Sequence, residues 1–152
     1  MSARADFLRL DSQLCFALYR ASRAIVRAYA PLLEPLGLTY PQYLTLLVLW
    51  EEEKVSMKGL GRRLTLDSAT LTPLLKRLEQ QGLVARERST EDERLVLVTL
   101  TKRGRALRLK ARGIPSAMAC KVEGSDEALA LVRIGRLRDE RNALVAKLDL
   151  AS

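Results

Sequence analysis

The stretch SMKGLGRRLTLDSATLTPLLKRLEQQGLVARERSTEDERLVLVTLT, from Ser56 to Thr101, decides the fold. Ser56 is a good N-cap for a short helix reaching about Leu64, and Thr65 to Asp67 reads as a turn. The next helix runs from about Asp67 or Ser68 to Gln81, where Gly82 stops it. Leu71, Leu74, Leu75 and Leu78 fall at i, i+3, i+4 and i+7, one core-facing stripe. Ser68, Thr70, Thr72, Lys76 and Arg77 fall elsewhere on that helix. Small polar residues at its start and cations further along suit a helix whose N-terminal half enters a major groove. Pro73 removes one backbone hydrogen bond, so it should kink this helix or shift its start.

Leu83 to Ser89 and Leu95 to Leu100 have strand character and enclose the charged tip TEDER. Arg86, Arg88 and Arg94 lie on or beside this hairpin, and Asp92 is placed to orient Arg94 through a salt bridge. An arginine at such a tip suits a minor groove, where negative potential is concentrated. The blander alternative is a solvated hairpin edge. The expected fold is mainly α with a small β-hairpin, a winged helix-turn-helix over about 39–101.

The flanks read as helices. Asp11 to Leu33 carries periodic apolar residues, and Thr39 and Gln42 frame a capping box for a buried helix through about Glu52. Thr101 caps a further helix, Ile114-Pro115 marks a break, and Ser125 caps the last helix, with Asp126 and Glu127 favouring its dipole. Leu129, Val132, Leu137, Leu144, Val145 and Leu148 form an apolar side on it. We read residues 1–152 as a single domain. About 1–38 and 102–152 are dimerisation helices, because long amphipathic ends lack partners in so small a chain. A homodimer would address two half-sites about one DNA turn apart, a pseudo-palindromic operator in double-stranded DNA.

Composition narrows the function. The formal charge is +8, from 26 Lys/Arg against 18 Asp/Glu, which fits an anionic partner or simply a solvated basic surface. The chain has no histidine, so His triads and His metal ligands are excluded. No metal or cofactor is expected. No apolar run is long enough to cross a bilayer, and the N-terminus lacks a signal-peptide core, so the expected location is cytoplasmic. Only two cysteines are present, Cys15 and Cys120.

These residues resemble the MarR family of bacterial transcription regulators. LTLDSATLTPLLKRLEQQGLVARE, DER followed by LVLVTLT, and the helix order carry the resemblance across essentially the whole chain. Within that family the chain is similar to repressors that sense organic hydroperoxides through an N-terminal cysteine and then release DNA. The resemblance implies Cys15 in QLCFALYRA as the redox sensor, with Tyr19, Tyr29 and Tyr40 supporting its thiolate. It implies Cys120 in SAMACKV as the second thiol of a two-cysteine branch, and Arg94 with Asp92 as the wing pair.

The chemistry is consistent with that implication. A thiolate, not a thiol, attacks a peroxide O–O bond, and tyrosine hydroxyls favour the charged form by donating to sulfur. Tyr19 lies one turn from Cys15, but Tyr29 lies fourteen positions on, about 21 Å along a straight helix. Tyr29, and by the same reasoning Tyr40, would therefore serve Cys15 from the other subunit. A sulfenic acid at Cys15 would condense with Cys120 of the partner subunit, or with a small thiol. Tyr43 and Trp50 read as core. Three other readings stay open: release by a small aromatic or phenolic ligand, a thiol peroxidase, or an architectural DNA binder without an effector.

Overall fold

The computed structural model describes residues 8–124 and 126–150, and the chain divides into two compact units, Met1–Arg108 and Leu109–Ser152. In the first unit a 3-10 turn at Leu10–Ser12 precedes α1 (Leu14–Leu33). The helix expected from Asp11 starts later because Gln13 takes an extended backbone, φ −87° and ψ 115°, between the two. Pro31 sits inside the last turn of α1 without ending it. In α2 (Tyr40–Glu52) the capping box forms as read, and Gln42 Oε1 accepts from the Thr39 N–H at 2.9 Å. Tyr43, Leu46, Val48, Leu49 and Trp50 are buried, as a dense apolar run requires.

The sheet has three strands rather than two. β1 (Lys54–Ser56) was not anticipated; it pairs antiparallel with β3 (Val96–Leu100), Val55 opposite Val98. Three residues are too few to show an alternation, and their partner lies more than forty positions away. β2 (Val84–Arg88) pairs with the other edge of β3, giving the order β1-β3-β2.

α3 (Met57–Leu64) starts at Ser56, whose Oγ accepts from the Gly59 N–H at 3.0 Å. In α4 (Ser68–Gln80) Asp67 is the cap, its Oδ1 accepting from the Thr70 N–H at 2.7 Å. Leu71, Leu75 and Leu78 are at most 1% exposed. At roughly 1.5–3 kcal/mol for each leucine removed from water, that stripe outweighs one absent hydrogen bond. The helix accordingly runs through Pro73, and its start is not displaced. At the far end Gly82 is left-handed, φ +69°, and the Leu83 N–H reaches back to the Leu78 carbonyl at 3.0 Å, a Schellman closure.

A junction ties these elements together. The Thr101 hydroxyl donates to the Gly82 carbonyl at 2.6 Å and accepts from the Gly104 N–H at 3.0 Å, starting α5 (Lys102–Ala111). The Gly104 carbonyl accepts from Trp50 Nε1 at 2.9 Å. A Cβ on Gly104 would lie 2.1 Å from the Leu83 carbonyl oxygen.

In the second unit α6 (Ile114–Glu123) starts at the break expected at Ile114-Pro115, and α7 (Glu127–Asp149) packs against it. Arg133 Nη1 meets Glu123 Oε2 at 3.3 Å. The Ser125 cap, and the parts assigned to the Glu127 and Leu129 side chains, lie outside the described residues. Val132, Leu137, Val145 and Leu148 of α7 remain 39–60% exposed. Among the described residues no helix is long and apolar enough to cross a membrane.

The junction makes a direct prediction. Gly104→Ala should lower the stability of the fold by about 1–3 kcal/mol through overpacking against the Leu83 carbonyl. Urea denaturation followed by Trp50 fluorescence reads it, and an unchanged midpoint would refute the tight approach.

Candidate nucleic-acid interface and thiol site

The exposed side of α4 is set by its buried side. With Leu71, Leu75 and Leu78 inward, a 100° step per residue puts Ala69, Pro73, Lys76 and Arg77 opposite, flanked by Thr70 and Thr72. Ser68, Thr70, Thr72, Lys76 and Arg77 are all exposed. Two hydroxyls are already engaged locally. Thr72 Oγ1 donates to the Ser68 carbonyl at 2.7 Å, and hydrogen bonds from Thr70 hold the Asp67 carboxyl below the usual carboxylate range. Their acceptor lone pairs remain for a ligand.

Two cations were not singled out in the sequence. Lys58 and Arg62, one turn apart on α3, are exposed and line an open groove of about 590 Å³ with Ser68, over Leu71. Their i, i+4 spacing on a helix otherwise marked by leucines was the available signal. The neighbouring Arg63 is held by Glu51 and Glu52.

The wing sorts its arginines by partner. Ser89 Oγ accepts from the N–H groups of Glu91 and Asp92 at 3.2 and 3.3 Å, which orders the tip. Asp92 Oδ1 then accepts from the Arg94 N–H at 3.0 Å and from Arg94 Nε at 3.3 Å. The expected Asp92–Arg94 pair is present, and the Arg94 side chain is still 91% exposed. Arg88 is exposed as well. Arg86 differs: it is half-buried and turned to Glu79, with Nη2 to Oε2 at 2.7 Å. The Arg86 guanidinium holds the Glu79 carboxyl below its ordinary range. Arg86 is thus engaged by the last turn of α4.

The thiol site is split within one chain. Cys15 is exposed on the first turn of α1, and Tyr19 one turn on is 57% exposed. The Tyr19 hydroxyl accepts from Arg23 Nη1 at 3.0 Å, and that guanidinium lies 5.5 Å from its ring centre. Tyr29 and Tyr40 lie apart from this pair, with ring centres 4.7 Å from each other. Tyr43 joins them at 5.9 and 6.5 Å and passes the contact on to Trp50 at 6.4 Å. α1 is continuous between Cys15 and Tyr29, so about 21 Å separates them along its axis. Cys120 is half-buried on α6, in the second unit.

Burial, then the neighbouring Tyr40 and Tyr43, pushes the Tyr29 hydroxyl up to about 12. Burial raises Tyr40 and Tyr43 too. Folding thus favours neutral Tyr29, a contribution complete below pH 10 and lost as pH rises from 10 through 12. Tyr29→Phe should flatten the fall of melting temperature with pH over the lower part of that window. A fall as steep as in the native chain would contradict the packing of this cluster.

A helix-turn-helix followed by an arginine-tipped hairpin defines the winged-helix class of DNA-binding proteins. The comparisons place the chain more narrowly. The family model described as Transcriptional regulator SarA/Rot matches residues 27–109. The chain is 51% identical to the organic hydroperoxide resistance transcriptional regulator of Bacillus subtilis, over 85% of this chain and 88% of that protein. The structure of reduced AbfR bound to DNA superposes with a TM-score of 0.78 at 36% identity, covering 96% of this chain and 99% of that one. Disulfide-formed AbfR superposes at 0.63 and 38% identity, over 91% and 93%. AbfR is a protein of Staphylococcus epidermidis. This chain belongs to the MarR/SarA-type family of transcriptional regulators, which are not enzymes.

Proposed function

We propose that the chain is a homodimeric, cytoplasmic DNA-binding repressor that reads a pseudo-palindromic operator and senses organic hydroperoxides through Cys15. The observation that carries this reading is the position of Cys15: an exposed thiol on a regulator whose 51%-identical relative is named for organic hydroperoxide resistance. On the wheel of α1, Cys15, Tyr19, Val26 and Tyr29 fall within about 80°. A partner α1 lying antiparallel on that face would bring Tyr29 and Tyr40 of the partner subunit to Cys15. Leu14, Ile25 and Val26 on α1 and Val132, Val145 and Leu148 on α7 are exposed apolar residues such a dimer would cover. Residues 1–152 then work as one regulatory domain.

In this reading Ser68, Thr70, Thr72, Lys76 and Arg77 meet the major groove, and Arg94, braced by Asp92, meets the minor groove. The Cys15 thiolate attacks the peroxide O–O bond, becoming a sulfenic acid while the alkoxide leaves and takes a proton. Cys120 of the partner subunit then displaces the sulfenic hydroxyl, forming the disulfide and water. The two Cα atoms must come within about 7 Å; where they start further apart, the helices must move, and α4 and the wing move with them off DNA.

Anisotropy of a labelled duplex from upstream of the protein's own gene tests this at fixed salt. Near-stoichiometric cumene hydroperoxide should release the native protein, and dithiothreitol should restore binding. Cys15→Ser should bind as tightly and ignore the peroxide. Release of that variant by peroxide would sink the assignment of Cys15. Cys120→Ser should lose the crosslinked dimer on non-reducing gels.

A further inference from the structure

The last turn of α4 carries Glu79, next to Leu78, which is fully buried and fixes its backbone. The Glu79 carboxylate accepts three hydrogen bonds, all from one residue of the wing. Arg86 Nε and Nη2 reach Oε2 at 3.1 and 2.7 Å, and the Arg86 backbone N–H reaches Oε1 at 3.3 Å. Arg86 is the middle residue of β2, paired with the fully buried Val98 of β3. Main chain and side chain of the wing strand are thus fastened to the helix that precedes it. Among the described residues, these are the polar bonds that join α4 to the wing strands.

We infer that Glu79 and Arg86 are positioning residues for DNA recognition: their ion pair sets the angle of the wing on α4, and so the place where Arg94 meets the minor groove. This rests on the reading of Arg94 given above. From Arg86 to Ser89 the strand extends about 10 Å, and the tip lies beyond. A tilt of about 10° there displaces the tip by about 2 Å by simple trigonometry. A recognition contact is held to roughly 0.5 Å, so a loose hinge would lose Arg94 while α4 stayed in its groove. A half-buried pair with three hydrogen bonds is also stiffer than an exposed single bond. Arg86 acts through Arg94 and needs no contact with DNA.

A double-mutant cycle on affinity tests this, using an operator duplex selected from a random-sequence pool by the native protein. Arg94→Ala should weaken binding about tenfold in the native background, and less than about twofold in a Glu79→Ala background. Hydroxyl-radical footprints of Glu79→Ala should lose protection at the minor-groove flanks and keep it at the half-site cores. The exchange of Glu79→Arg with Arg86→Glu should restore part of the flank protection. Glu79→Gln, which keeps an acceptor, serves if Glu79→Ala fails to fold. Equal tenfold losses from Arg94→Ala in both backgrounds would overturn the inference and leave the wing contact standing. No loss from Arg94→Ala in the native protein would overturn the wing contact and the inference together.

Discussion

Gly104 is where the first unit is locked. Its carbonyl accepts the Trp50 indole N–H, its amide is capped by Thr101, and its Cα lies against the Leu83 carbonyl. Three elements meet there: buried α2 through the Trp50 indole, the closure after α4 through the Leu83 carbonyl, and the exit of β3 into α5 through the Thr101 hydroxyl. Only a residue without Cβ fits, because the Leu83 oxygen fills that space. The polar groups drawn in are paired, so the approach leaves no buried donor of Trp50 unsatisfied. The geometry of α4 and of both wing strands is referred to this point.

From that frame the charges take different tasks although their side chains are alike. Arg63 and Arg105 pair with glutamates at the end of α2, Arg63 with Glu51 and Glu52 and Arg105 with Glu53. Arg86 is half-buried against Glu79. Arg94, Lys76, Arg77, Lys58 and Arg62 face solvent. Exposed pairs contribute little to stability, so the net basic charge is better understood as a field for an anionic partner. Arg94 is set in place by Asp92 while its side chain stays 91% exposed.

The sequence made the helices legible where capping chemistry is local. Ser56, Thr39 with Gln42, and Thr101 all act within three residues, so their roles could be read from spacing alone. The leucine stripe of α4 also survived Pro73, because burial of three leucines exceeds the loss of one hydrogen bond. β1 was not legible: its three residues become a strand only through Leu97 to Thr99. The pairing of Arg86 with Glu79 was not legible either, because nothing local marks a glutamate seven residues back and across a Schellman turn as its partner. The delayed start of α1 came from the backbone of Gln13, which carries no breaker signal. For the thiol site, the fourteen-residue separation of Cys15 from Tyr29 was plain in the sequence. The aromatic cluster that removes Tyr29, Tyr40 and Tyr43 into one group was not, because it needs α1 and α2 folded together.

The central claim is that the sensor is completed by two chains: Cys15 from one, Tyr29 and Tyr40 from the other. Subunit mixing tests it most directly. A heterodimer of a Cys15→Ser subunit with a Tyr29→Phe, Tyr40→Phe subunit retains one Cys15, on the chain that lacks the tyrosines. The quantity to measure is the rate at which cumene hydroperoxide converts that thiol to sulfenic acid. If the tyrosines act across the dimer, the remaining Cys15 reacts at the native rate. If it reacts as slowly as in the homodimer of the Tyr29→Phe, Tyr40→Phe chain, the site is built within one chain and the account is wrong.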